Sequence, residues 1–234
     1  MKKIGVLIFG AALVVGLIAA TMSSFGRIGD KVFSFRVGAV KGSGNVATDR
    51  RDLTDFHGVD VSGVFKVEIV AQKEFGVEIE ADDNLLPLIE TELRRGVLHI
   101  STDGKISPSN LLVVRISAPD IDKLDISGAA EVTLTELKNS ELSIDSSGAS
   151  KINVSGETAK LTIDISGATK VNAEGLEAEN VNVDASGASK ASVNVTGSLR
   201  ADASGASKIE YSGSPADVVK KSNGAGSVYA KEGN

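Results

Sequence analysis

The chain has no cysteine and no tryptophan, two methionines, two histidines and four prolines, and aromatic residues make up 4% of it. Without cysteine there is no disulfide, no thiolate metal ligand and no thiol nucleophile. The compartment stays open, because strand ladders need no covalent staples even where disulfides form. With so few rings, the interior has to be made of Val, Ile, Leu and Ala, drawn from the 41% of residues that are hydrophobic. Such an interior is thin, and it suits short stacked strands better than a large ligand pocket. Blocks of one charge are missing too. The net charge is −6 and the pI is near 5.1, with acids and bases interspersed, so no basic surface is available to neutralise nucleic-acid phosphates.

What the chain has instead is repetition. Ser-Gly-Ala recurs with its glycine at Gly128, Gly148, Gly167, Gly187 and Gly205, and Asn-Gly-Ala follows at Gly224, at intervals of 20, 19, 20, 18 and 19 residues. A unit this short cannot bury its own apolar face, so the period predicts stacked coils. Six, four and two residues before each glycine the chain is mostly apolar, as at Leu161, Ile163 and Ile165. Four and six residues after it the rule returns, as at Ile152 and Val154. Each coil therefore reads as two short strands facing one interior and joined at a glycine corner, where a positive φ carries little steric cost. The Ala beside the glycine is expected to enter the stack. A second set, Gly156, Gly175, Gly197 and Gly213, closes the second strand of each coil. The predicted fold is all-β: a right-handed, single-stranded β-helix (β-solenoid) of about 19–20 residues per coil.

Two outward ladders follow from this register. Asp125, Asp145, Asp164, Asp184 and Asp202 lie three residues before the glycines, and Lys151, Lys170, Lys190 and Lys208 lie three after, with Glu131 in the equivalent place in the first copy. They are the candidate binding positions. The aspartates are expected to accept corner backbone hydrogen bonds, with lysines of the same or next coil offsetting their charge. A calcium-binding reading of the acidic array is the alternative, but no loop supplies six oxygens by itself, so no metal site is assigned. The last coil places Val218, Lys220 and Ser222 at inward positions, and its Lys220, Lys221 and Lys231 are expected to discourage further strand pairing at the open end.

Ahead of the repeat, alternation predicts strands at Val59–Val61, Phe65–Ile69, Val77–Ile79 and Val97–Ile100, with Leu111 to Ile116 as a central strand. Leu85 to Leu93 reads as a helix of one or two turns, limited by Pro87. Asp82-Asp83-Asn84 reads as a polar turn. At the amino terminus Lys2 and Lys3 precede an uncharged run from Ile4 to Phe25, read as a signal peptide or an uncleaved membrane anchor over residues 1–22. Either one exports the rest, to the periplasm, the cell surface or an anchored position facing outward. Attachment would run through residues 4–22, and no cysteine follows the run to carry a lipid. Residues 23–41 are read as a connector or first strand and 42–230 as the solenoid.

Chemistry is hard to place on this pattern. Ser127, Ser147, Ser166, Ser186 and Ser204 are equivalent to one another, whereas a catalytic serine is one residue with a base beside it. His57 and His99 read as structural, and Gly42-Ser43-Gly44 lacks the lysine and helix of a phosphate loop. No catalytic residue, metal or cofactor is assigned.

The stretches Lys41-Gly42-Ser43-Gly44-Asn45-Val46, Phe56-His57-Gly58-Val59-Asp60-Val61-Ser62-Gly63 and Glu80-Ala81-Asp82-Asp83-Asn84-Leu85-Leu86-Pro87-Leu88-Ile89-Glu90, followed by Ser-Gly-Ala-Ser corners, resemble the head GIN domain of putative auto-transporter adhesins. The likeness covers about residues 40 to 230. It implies a small exported or envelope-attached bacterial protein with a right-handed β-helix-like fold and no catalytic set to carry over. It does not extend to a membrane barrel, for which the strands are too short and the aromatic girdles missing. The expected function is a non-enzymatic adhesin or binding module whose partner is an envelope protein or a glycan. An envelope scaffold or sensor is the alternative, and a polysaccharide-active enzyme would need an acidic cluster that breaks the repeat.

Overall fold

The structure, a computed structural model, describes residues 38–231. The chain divides into two units after Val37. The expected leader or anchor over residues 1–22, and the connector as far as residue 37, lie outside the described residues. No helix among the described residues is long and apolar enough to cross a membrane.

The second unit begins with β1 (Val40–Lys41), β2 (Val46–Arg51), β3 (Gly58–Gly63), β4 (Lys66–Val70) and β5 (Gly76–Asp82). A 3-10 turn at Leu86–Leu88 leads to β6 (Ile89–Arg94), β7 (Val97–Thr102), β8 (Ile106–Ser107), β9 (Val113–Ser117) and β10 (Lys123–Gly128). Four long strands carry the repeat: β11 (Glu131–Gly148), β12 (Lys151–Gly167), β13 (Lys170–Ala185) and β14 (Lys190–Ala203). The chain ends in β15 (Lys208–Gly213), β16 (Asp217–Ser222) and β17 (Ser227–Ala230).

Within the repeat every pairing is parallel, residue against equivalent residue. Leu124 opposes Ile144, then Ile163, Val183 and Ala201 in successive strands, and all five are at most 1% exposed. This is a β-solenoid with an aliphatic interior, and five turns separate Gly128 from Gly224. Buried aliphatic side chains of this size stabilise by roughly 1.5–3 kcal/mol each before entropy is counted. This column shrinks from Leu to Ala along the axis and ends at Lys220, opposite Ala201. Lys220 and Ser222, expected at inward positions, are exposed, because the last coil has no further coil to cover it.

The glycine corners stack as expected, with one addition. Gly63 pairs with Gly128, Gly128 with Gly148, and Gly148 with Gly167. At Gly148 φ is +126°, and a Cβ there would sit 2.3 Å from the carbonyl oxygen of Gly128. A side chain is barred both by the dihedral and by the preceding coil. The expectation that the neighbouring Ala enters the stack is corrected. Ala149, Ala168, Ala188 and Ala206 are exposed, and the next residues, Ser150, Thr169, Ser189 and Ser207, turn inward at 1–3% exposure. The left-handed glycine rotates the chain by one residue, and the Ala contributes its N–H instead, donating to the previous coil's glycine carbonyl at 2.7–2.8 Å. The inward hydroxyls find carbonyls: Ser189 Oγ donates within its own corner to the Ser186 carbonyl at 2.8 Å, and Ser207 Oγ to the Ala185 carbonyl of the preceding coil at 2.9 Å.

The strands run further than expected. β11 to β13 each pass through both parts of a coil, and the second glycine set sits near register shifts, such as those between Leu134 and Leu137 and between Asn153 and Ser155. Residues before the repeat depart from simple winding. Between β4 and β10 the chain makes β5, antiparallel to β9 and to β2, and the antiparallel pair β6–β7. That pair turns at Arg95-Gly96, both with positive φ, as a two-residue hairpin demands. These strands extend the first coil at its open side, where β7 pairs with β3 and β9 with β4, in place of an unpaired edge. The helix read over Leu85 to Leu93 shrinks to the 3-10 turn, because Ile89 onward is recruited into the ladder with β7.

Candidate binding faces

The residues before each corner build one outward surface and those after it another. On the first, Asp60, Asp125, Asp145, Asp164, Asp184 and Asp202 form one unbroken column. His99 and Glu92 continue it at the amino end, and Lys221 ends it at the carboxyl end. On the second, Lys66, Glu131, Lys151, Lys170, Lys190 and Lys208 form a column. Beside it runs Arg50, Glu78, Arg115, Glu68, Thr133, Asn153, Asn172, Ser192, Glu210 and Tyr229. The predicted ladder residues are therefore brought together, each sign on its own surface, and adjacent members are one strand spacing, about 4.8 Å, apart.

Two details of the expected ladder chemistry are corrected. The ladder aspartates accept no corner backbone hydrogen bond among the described residues; Asp60 is held by His99 Nδ1 at 2.8 Å, and Asp125 lies 3.8 Å from Lys123 Nζ. The ladder lysines do not pair with them either. Lys151 meets Glu131 at 2.8 Å, Lys190 meets Glu210 at 2.6 Å, and Lys208 lies over the Tyr229 ring at 4.9 Å. Lys170 makes no ion pair among the described residues. The corner separates the ladder lysines from the ladder aspartates, so the lysines find their acids on their own surface, at Glu131 and Glu210. Partial burial first, then Asp145 and Asp184, push the Asp164 carboxyl above its usual range. Partial burial first, then Asp60, does the same for Asp125.

At the carboxyl end Glu210 is the most perturbed acid. Lys190 first, then Tyr229 and Ser192, hold its carboxyl down at about 2 against the opposing effect of burial. Lys220 lies over the Tyr211 ring at 4.6 Å, and Lys231 reaches Glu174 at 2.9 Å.

The residue that sequence reasoning missed is Asp82. Read as part of a surface turn, it is fully buried. Its Oδ1 accepts from Gly44 N at 2.9 Å and Asn110 Nδ2 at 2.7 Å, and its Oδ2 from Ser109 N at 2.8 Å and Asn110 N at 3.2 Å. Burial raises its pKa, but these four donors outweigh it and hold the carboxyl below the ordinary range. One carboxylate thus ties three stretches of chain, and with both oxygens engaged it has no room to ligate a metal. Gly42 makes this possible: a Cβ there would lie 2.2 Å from Asp82 Oδ2. The run Gly42-Ser43-Gly44 is the partner of this clamp. Gly63 was also missed as a corner, although Val59-Asp60-Val61-Ser62-Gly63 has the same apolar-Asp-apolar-Ser-Gly pattern as Leu124-Asp125-Ile126-Ser127-Gly128. The insertion between them hid the period.

The histidines are held by carboxylates, His57 Nδ1 to Asp122 and His99 Nδ1 to Asp60, both at 2.8 Å. Among the described residues no group of three or more His, Asp or Glu is placed to hold a metal ion. An open groove of about 660 Å³ lies at the amino end of the basic surface, lined by Arg50, Arg51, Glu68, Phe75, Glu78 and Arg115 among others.

A solenoid with flat, polar, regularly ruled surfaces defines a class of surface-presenting modules. A protein-family profile, described as "putative auto-transporter adhesin, head GIN domain", matches residues 55–215, and the chain belongs to that family. As a member of that family it is an adhesin-like β-solenoid module. Among solved structures it is similar to a putative adhesin from Bacteroides fragilis, with 21% identity and a TM-score of 0.69 over 82% of this chain and all of that one. It is similar also to a putative adhesin from Parabacteroides merdae, with 21% identity and a TM-score of 0.51 over 84% of this chain and all of that one. A third, from Parabacteroides distasonis, is described as a putative lipid binding protein and shares 18% identity, with a TM-score of 0.50 over 83% of this chain and all of that one. At these identities the likeness is one of fold. No curated protein matches the chain.

Proposed function

We propose that residues 42–230 are a binding module of the bacterial envelope, exported by the segment 1–22, and that its ruled outward columns contact an envelope protein or a glycan. The observation that carries this is the continuity of the columns. Aspartates on one surface and lysines on the other stay in strict register through the repeat, while the interior beneath them varies in size. A repeating partner can exploit such spacing, because each added contact reinforces the last without a new loop or pocket. The segment 1–22 either is removed on export or stays as an anchor, with the module outside in both cases.

The test is a glycan array together with an envelope pull-down, using purified protein and a variant with Lys151, Lys170, Lys190 and Lys208 changed to Gln. Specific capture by the native protein that the variant loses supports the reading. If neither binds anything and amino-terminal sequencing finds residues 1–22 retained, an anchored scaffold or sensor replaces it.

A further inference from the structure

The basic surface carries a more specific assignment, resting on the binding-module reading. Its two columns differ in chemistry along their length. Through the repeat, Lys151, Lys170 and Lys190 run beside Asn153, Asn172 and the buried Ser192, and Lys208 beside Glu210. At the amino end the neighbouring column becomes Arg50, Glu78, Arg115 and Glu68, in which cation and anion alternate. There Arg115 reaches Glu80 at 3.1 Å and Glu78 at 3.5 Å, and Arg50 reaches Glu78 at 3.2 Å while its side chain is 86% exposed.

The groove of about 660 Å³ opens on this alternating part and contains Phe75. That ring is half-buried, packed at 5.0 Å and 59° against the core ring of Phe56. Arg51, in the same lining, has a buried Nε without an acceptor, although its Nη2 donates to the carbonyls of Leu86 and Ile89.

We propose that this surface binds an acidic linear polysaccharide, with carboxylates on its sugar units following the lysine column and one sugar seated in the groove against Phe75. Lys170 makes no ion pair among the described residues, while Lys151 and Lys190 are held by Glu131 and Glu210 and Lys208 lies over Tyr229. An anionic partner engages Lys170 directly and competes for its neighbours, and a column one strand spacing apart fits a partner whose charges recur along a chain. The alternating column distinguishes a sugar from other polyanions. Guanidinium forks donate to carboxylates and hydroxyls, while Glu68 and Glu78 accept only from donors. Both are held by Lys66, Arg50 and Arg115, and their remaining lone pairs can take the hydroxyl donors that a sugar has and a polyphosphate lacks. A single half-exposed ring gives one sugar face an apolar platform, in contrast to the serial stacking that unpaired bases require.

The experiment measures binding of the purified full chain to polygalacturonate, to a neutral linear glucan and to inorganic polyphosphate by titration calorimetry over a range of salt. The expected result is that polygalacturonate binds, with an affinity that falls as salt rises, and that neither other polymer does. Lys170→Glu should weaken binding and lower the salt slope by about one. Phe75→Leu should weaken it without changing the slope, with its thermal midpoint recorded to show that it folds. Asp164→Asn, on the other surface, should leave binding as it was. Equal binding of polyphosphate, or indifference to both Lys170→Glu and Phe75→Leu, overturns the assignment. If an array shows other glycans captured and polygalacturonate ignored, this inference fails while the binding-module reading stands; if nothing is captured, both fail.

Discussion

The carbonyl oxygen of Gly128 accepts the N–H of Ala149 at 2.8 Å, and the same oxygen would lie 2.3 Å from a Cβ on Gly148. The bond that joins two coils therefore passes through the space that any side chain at the second glycine would occupy. Gly148→Ala should destabilise by about 2–4 kcal/mol, combining the positive φ with a clash against backbone that cannot move aside. Gly104 has φ +80° but nothing within 4 Å, so Gly104→Ala should cost only about 1–2 kcal/mol. Urea denaturation of the two variants checks the difference. Equal losses would mean that the coil above is not the constraint.

Asp82 predicts acid sensitivity. Its folded pKa is lowered by Asn110, Ser109 and Gly44 despite its burial. The stability it contributes is thus present above the unfolded carboxylate pKa and is lost as pH falls through the folded value. Asp82→Asn should lower the thermal midpoint at neutral pH by at least about 4 °C and flatten the acid limb of the midpoint–pH curve. An unchanged acid limb would count against this role.

Glu210 has the same sign, with its folded pKa at about 2. Its contribution is complete above the ordinary carboxylate value and disappears as pH falls toward 2. Glu210→Gln, which leaves Lys190 without its partner, should cost about 1–3 kcal/mol at neutral pH. The loss should shrink as the pH at which stability is measured falls through about 2.

The aspartate column predicts the opposite slope. Asp125 and Asp164 have raised folded pKa values, chiefly through partial burial and then through their like-charged neighbours. Ionising them costs folding free energy as pH rises from the unfolded pKa to the folded one. Asp164→Asn should therefore stabilise at neutral pH, by about 0.5 kcal/mol given like charges one strand spacing apart in water. A loss of stability in thermal melts would show that the column has favourable partners.

How much could be read from the chain differs residue by residue. The inward positions Leu142, Ile144, Leu161 and Ile163 and the corners from Gly128 to Gly224 needed only the alternation and the period. Ala149, expected inside, is exposed and Ser150 takes the inward place, because composition favours Ala inside, whereas a left-handed glycine decides which of the next two residues turns in. His99 beside Asp60, and the separation of lysines from aspartates, depend on which coil lies next to which.

By itself the sequence determined an aliphatic β-solenoid with glycine corners and charged outward ladders. Those properties follow from a two-residue side-chain alternation and from a coil length that repeats along one chain. The tertiary structure alone decided the antiparallel strands that extend the first coil, the extra corner at Gly63, the groove beside Phe75 and the burial of Asp82. Each of these joins stretches far apart in sequence: Asp82 is bonded to residues 38 positions before it and 27 and 28 after it. No local pattern records such a meeting, because the partners satisfy one another only once the chain has closed around them.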